Sequence, residues 1–165
     1  MKTISVHWFR RDLRLEDNTA LYMALQSEHP VLPLFIFDRH ILDELDGPKD
    51  ARVSFIHQEV RRLGQELKEK GASILVKYGY PEQVWKDLLD SPDYEIKAVY
   101  TNHDYEPYAK NRDQKVAELL ESHDVPFHTF KDQVIFEKEE VVKDDGEPYV
   151  VFTPYSKKWL ARLEE

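Results

Sequence analysis

Cysteine is absent from all 165 residues, so disulfides, thiolate metal centres and cysteine nucleophiles are excluded together. Glycine occurs only 5 times. None of the five lies in the connection after the first apolar segment, where a dinucleotide-binding fold places its phosphate-cradling glycines. Positive charge is in deficit, since 32 acidic residues against 23 basic give a net charge of −9. Lys157-Lys158 is too short a run to form a basic patch, so the chain alone is a poor partner for a phosphate backbone. No apolar run is long enough to span a bilayer and no secretory leader is read, which makes a soluble cytoplasmic protein the expectation. The histidines lack metal-ligand spacing: His7 falls in a strand, His57 on a helix, His40 and His103 in loops, and no metal site is expected. No Ser-His-Asp arrangement, phosphate loop or deaminase signature is present either.

What is there is an ordinary globular composition, 41% hydrophobic and 12% aromatic. A chain of this length buries about 70% of its unfolded surface as one domain. Lys2–Phe9 (KTISVHWF) reads as a buried strand, and Asp17 and Asn18 are both suitable helix N-caps ahead of Leu21, Ala24 and Leu25. Val31–Phe37 is a second strand ending at Asp38, with Pro33 placing its start at an edge or bulge. Residues 39–49 read as a loop containing Gly47 and Pro48. Arg52–Lys70 is the clearest helix, with Val53, Ile56, Val60, Leu63 and Leu67 in one stripe and Gly71 as its stop. Phe55 falls about 110° off that stripe at roughly 100° per residue, so its ring either packs under the preceding loop or lines a pocket. Strands are expected at 73–78, 97–101 and 126–131, with helices beginning at Pro81 and Pro107 between them. Trp8 and Trp85 read as core. Strands and helices that alternate over short connections predict an α/β fold: a doubly wound, Rossmann-like five-stranded parallel sheet, order 3-2-1-4-5, with helices on both faces. After residue 132 the pattern changes. Segments 134–142 and 149–152 flank the turn pair Asp145-Gly146 and suggest a hairpin or extended arm, and Tyr155–Glu165 reads as the start of a further helix.

In such a sheet a ligand binds beyond the carboxyl ends of the strands, where the strand order reverses. The loops bordering that point are RRDLR after Phe9, NHDYEP after Thr101 and the segment after Asp38. Arg10, Arg11, Asp12 and Arg14 in the first loop suit either ligand binding or a clamp on another segment. Asp38, Asp104 and Glu106 can accept N–H groups along the edge of a heteroaromatic ring. Phe37, Phe55, Ile41 and Leu42 can wall the ring, and Arg52 can meet an anionic tail. The structural alternative is that Asp38 caps its own loop and Glu106 caps the helix at Pro107.

Four stretches carry a resemblance in the same order: WFRRDLRLEDNTAL (8–21), FIFDRHIL (35–42), NHDYEPYAKNRD (102–113) and PYVVFTPYSKKWL (148–160). Together they resemble the amino-terminal α/β domain of the photolyase/cryptochrome family of blue-light flavoproteins. The resemblance implies an antenna domain over residues 1–132, followed at 133–165 by an extended arm and the start of a linker to a helical FAD-binding domain. It implies a parent enzyme, a light-driven lyase in which reduced FAD splits pyrimidine dimers in UV-damaged DNA. This part would hold an antenna chromophore and be inactive in repair by itself. Glu106-Pro107-Tyr108 resembles members using deazaflavin or FMN, whereas Tyr108 and Ala109 stand where folate-using members can carry a carboxylate. A cryptochrome photoreceptor and a stand-alone nucleotide-binding module are the other readings.

Overall fold

The computed structural model describes residues 1–45 and 50–165. Gly47 and Pro48 of the expected loop lie outside the described residues. Two compact units form, Met1–Asp132 and Gln133–Glu165.

The first unit alternates β1 (Lys2–Phe9), α1 (Thr19–Leu25), β2 (Val31–Asp38), α2 (Arg39–Leu42), α3 (Ala51–Glu69), β3 (Leu75–Gly79), α4 (Pro81–Leu89), β4 (Tyr94–Asn102), α5 (Pro107–Glu121) and β5 (Phe127–Phe130). The strands pair in parallel in the order β3-β2-β1-β4-β5. This is the doubly wound sheet that the alternation predicts. Pro33 sits just before pairing with β3 begins at Leu34, where a missing N–H is tolerated.

Strand alternation sorts the core into two faces. Ile4, Val6 and Trp8 of β1 join Leu34 and Ile36 of β2 against Val84, Trp85 and Leu88 of α4 and Val116 and Leu120 of α5. Trp8 and Trp85 meet edge to face at 5.5 Å, both in the core as expected. Phe9 and Phe35 point the other way and pack on Leu21 of α1 and on Val60, Leu63 and Leu67 of α3. The register between β1 and β4 slips by one residue between Ile4 and Ser5. That slip lets Ile96 and Val99, three apart, share one face.

Helix α1 is capped by Asn18, whose side chain accepts from Leu21 N. Helix α3 ends where Gly71 takes φ 77°, its N–H reaching Lys68 O and Ala72 N reaching Leu67 O. The buried stripe of α3 is Val60, Leu63 and Leu67, while Val53 and Ile56 are only half-buried. The first two turns of this helix therefore stand clear of the main core.

Three boundaries in the first unit differ most from expectation. Residues 39–42 form a short helix rather than loop because the Asp38 carboxylate accepts from His40 N and starts the turn. The third strand runs Leu75–Gly79, and β4 extends back to Tyr94, since pairing with β1 continues to Lys2.

In the second unit no strand forms among the described residues, so of the two expectations there, a hairpin or an extended arm, the hairpin does not form. Lys143 N bonds Glu147 O and Gly146, at φ 84°, closes the tight turn to Lys143 O, but the flanking segments do not pair as strands. A single 3-10 turn occupies Lys138–Glu140, and α6 runs Phe152–Leu163. Helix α6 begins three residues earlier than expected, because Pro154 lies in its first turn, where a proline costs no hydrogen bond.

His7, in the centre of β1, is fully buried, lies edge-on to Phe9 at 4.3 Å and has no hydrogen-bond partner for either ring nitrogen. Burial pushes its pKa from 6.5 down to about 4, with Asp12 opposing and Arg10 assisting. In the unfolded chain the ring takes a proton below 6.5, whereas the folded ring stays neutral down to about 4, so stability falls as pH drops through that window. Urea unfolding between these two pH values should show the loss, on the order of 3 kcal/mol. His7→Leu should flatten the dependence, and an equally steep variant would place the acid sensitivity elsewhere.

Candidate functional site

The carboxyl ends of β1 and β4 are joined by Asn102. Its side-chain oxygen accepts from Ala20 N at 2.9 Å, and its amide nitrogen donates to Asp12 at 2.6 Å and to the Asn18 cap at 2.9 Å. Its backbone carbonyl accepts from Arg10, whose other guanidinium nitrogen donates to Asp113. Asp113 also takes Arg112 through Nε at 3.0 Å and Nη2 at 2.9 Å. Arg10 and Arg112 both stack near Trp8, with guanidinium carbons 5.2 and 5.1 Å from the ring centroid. Arg14 pairs with Asp132 at 2.7 Å, and Asp132 accepts from Thr19 N. Arg10 and Arg14 thus act as clamps that hold the loop to β4, α1 and α5.

Around this frame lies a cavity of about 710 Å³ at the carboxyl end of the sheet, a size that suits a small aromatic ligand. Trp8, Phe35, Ile36 and Phe37 form its floor, and α2 contributes Ile41 and Leu42. The overhanging first turns of α3 supply Ala51, Arg52, Phe55 and Ile56, and α5 with its preceding loop supplies Asp104, Glu106, Tyr108, Ala109 and Arg112. Phe55 is 63% exposed at the mouth, an apolar ring left for something to cover.

All nine residues singled out from the sequence line this one cavity: Arg10, Phe37, Asp38, Ile41, Leu42, Arg52, Phe55, Asp104 and Glu106. Their surroundings differ. Asp38 has donors on both oxygens, His40 N at 2.9 Å and the Tyr108 hydroxyl at 2.5 Å. Burial and that bond to Asp38 hold the Tyr108 phenol far above its ordinary pKa. Glu106 stands at the N-cap of α5 but its side chain makes no capping bond. It pairs instead with Arg11 at 2.6 Å, and both are more than half exposed. Arg52 pairs with Asp50, whose pKa is held down to about 2 by the Arg52 hydrogen bonds. The Asp104 side chain is only 8% exposed, yet its contacts among the described residues are long: Glu106 N at 3.5 Å, Arg11 at 3.7 Å and Arg112 at 3.9 Å.

Sequence reasoning left Arg11 open between ligand binding and a clamp and did not include Trp8, Tyr108 or Arg112 in the site. Trp8 is an inward strand position and Arg112 lies on the buried stripe of α5, so periodicity assigns both to the core. The signal for Tyr108 and Arg112 is helical spacing, i and i+4 on α5, which puts them on one face beside Asp38 and Asp104. Among the described residues no three His, Asp or Glu side chains gather to hold a metal, and no helix is long and apolar enough to cross a membrane.

Residues 5–165 match the family model described as DNA photolyase. The chain belongs to the DNA photolyase family. It is 38% identical over 159 residues to the deoxyribodipyrimidine photo-lyase of Alkalihalophilus pseudofirmus, covering 92% of this chain and 32% of that protein. Cryptochrome-2 of Arabidopsis thaliana is 32% identical over 94% of this chain and 25% of its own length. Among solved structures, an archaeal photolyase from Sulfolobus tokodaii, described with two FAD molecules and a novel light-harvesting cofactor, superposes with a TM-score of 0.69. It is 31% identical over 84% of this chain and 32% of its own. The chain spans about a third or less of these photolyase-family proteins, and 55% of an uncharacterised 31.6 kDa protein of Synechococcus that it also matches. The motif resemblance noted in the sequence and the family match therefore agree.

Two variants probe the frame. Asn102→Ala strands the Ala20 N–H and the amide's partners in a buried setting, and should lower unfolding free energy by about 2–3 kcal/mol in urea melts. Glu106→Ala removes only an exposed ion pair and should change stability by less than about 1 kcal/mol. A large loss would restore the capping role that the geometry denies it.

Proposed function

We propose that this chain is the antenna-binding α/β domain of a cytoplasmic deoxyribodipyrimidine photolyase, and that the cavity beneath α2 and α3 holds a deazaflavin or FMN chromophore. When bound, the chromophore supplies absorption of light and transfer of that excitation to FAD. The chain's own residues bind and orient it. Phe35, Phe37, Ile41, Leu42 and Phe55 wall the ring and exclude water, while Asp104 accepts a ring-edge N–H. Arg52, at the opening, faces an anionic tail.

Asp104 carries this reading. A carboxylate largely shielded from water in an apolar-walled cavity, with no partner among the described residues closer than 3.5 Å, is under-bonded for its charge. A ring N–H delivered into the cavity supplies the missing short hydrogen bond. The apolar mouth around Phe55 gives the same ring a surface to cover.

The rest of the reading concerns the whole protein. Residues 133–165 begin the connection to a helical carboxyl-terminal domain that binds FAD and UV-damaged DNA, in keeping with the greater length of the relatives. A net charge of −9 in this part suits a domain that leaves DNA contact to another. A cryptochrome photoreceptor is the second reading, supported by the match to cryptochrome-2 of Arabidopsis thaliana. Blue-light repair by the full-length protein decides between them, and this chain alone should repair no dimers.

Fluorescence titration of the purified chain with FMN or its deaza analogue should show saturable binding. Asp104→Asn should weaken it by at least about tenfold, equivalent to roughly 1.4 kcal/mol. An absence of binding by either ring would refute the antenna assignment.

A further inference from the structure

Among the described residues the aromatic side chains that line the cavity are Trp8, Phe35, Phe37, Phe55 and Tyr108, and they differ in how readily they give up an electron. The three phenylalanines hold theirs tightly. Trp8 and Tyr108 are electron-rich, and a guanidinium lies against each of them. Arg112 Cζ is 5.1 Å from the Trp8 ring centroid and 5.8 Å from that of Tyr108, and Arg10 Cζ is 5.2 Å from Trp8. The Arg10 and Arg112 side chains are 7% and 6% exposed, so water screens little of their charge. Their close anionic partner is a shared one, Asp113. Asp104 stays 3.9 Å from Arg112, and Asp12 is taken up by Arg10 N and Asn102. Behind Trp8, Trp85 stands edge to face at 5.5 Å, its ring nitrogen buried without a hydrogen-bond partner.

We infer that Arg10 and Arg112 guard the excited chromophore, their charges keeping the Trp8 indole from giving it an electron. The inference rests on the antenna reading above and adds what protects the absorbed light. An electronically excited flavin-type ring is a strong one-electron oxidant, and indole is a ready donor. In the loss reaction one electron leaves Trp8 for the excited ring. The indole is oxidised to its radical cation and the ring is reduced by that electron, while no bond breaks and no proton moves. Return of the electron ends in heat, so excitation that should pass onward is lost. A radical cation on Trp8 sets new positive charge 5.2 and 5.1 Å from two guanidiniums in a poorly screened setting, which raises the energy of the charge-separated pair. The attraction that holds each arginine to the neutral ring turns to repulsion once the ring is oxidised. The block has to act at Trp8, because Trp85 lies next in line and would carry the positive charge inward. Arginine suits this task, since its guanidinium keeps its charge inside a protein. Shutting out a competing reaction of a bound cofactor is the protein's share of the chemistry.

The test uses the intact chain loaded with FMN or its deaza analogue, whichever binds more tightly, read by fluorescence lifetime and by transient absorption of the indole radical. In the unaltered protein the bound ring should keep a lifetime within about threefold of the free ring, and Trp8→Phe should change it by less than about twofold, because that channel is already closed. Arg112→Gln should shorten the lifetime by about tenfold or more with an indole radical signal, and adding Trp8→Phe should restore it. Arg112→Lys keeps the charge and should stay long-lived, a separation of Lys from Gln that a purely structural role would not produce. Arg10→Gln, with the same expectation, serves where Arg112→Gln does not fold. A lifetime already shortened about a hundredfold in the unaltered protein, a rise of about tenfold in Trp8→Phe, or an Arg112→Gln lifetime no shorter than the unaltered one overturns the guarding role and leaves the antenna reading standing. If neither ring binds, the antenna reading fails and this inference falls with it.

Discussion

The structure depends on how the polar carboxyl ends of β1 and β4 are satisfied once they are buried. Asn102 does this with every group it has, linking the loop after β1, the cap of α1 and, through Arg10, the α5 residue Asp113. A buried amide with all its hydrogen bonds made is a rigid joint, because each alternative position leaves a polar atom without a partner. The joint matters since strand order reverses between β1 and β4, which opens a crevice there. Thr101 strengthens it by donating its hydroxyl to the Trp8 carbonyl at 3.0 Å.

On that joint the charged side chains divide by burial. Arg10 and Arg112 are both enclosed, share Asp113 and flank Trp8, so their charges serve the frame. Arg11 is exposed and pairs with exposed Glu106, an association that solvent screens. Between these two sets sits Asp104, shielded from water yet bonded only at long range. The cavity's chemical character comes from this gradient, from fully occupied charges behind the wall to one with capacity at its surface.

The apolar half of the cavity arises from where α3 meets the core. Its buried stripe starts only at Val60, so the turns before it are left to line the cavity at the strand ends. Phe55 and Ile56 line the cavity for that reason, and α2, set in place by Asp38, adds Ile41 and Leu42 opposite them. Phe55 looked misplaced on a helical wheel because the wheel presumes one flat partner. Its actual neighbour is an opening.

Much of this was legible in the residues themselves. Alternation of apolar strands with capped helices determined the parallel α/β class, because period, caps and connection length are local properties, and the expected strand order 3-2-1-4-5 is the one that forms. The loops at the reversal point followed from that order, and with them Arg10, Asp104 and Glu106, while Arg52 and Phe55 reach the cavity from α3. Tertiary structure alone decided what each one does there. Whether Glu106 caps a helix or meets Arg11, whether Asp38 is open or tied to Tyr108, and whether β4 slips its register at Ile96 all depend on partners distant in the chain. A single side chain's chemistry allows several such partners, and only the packed fold selects among them.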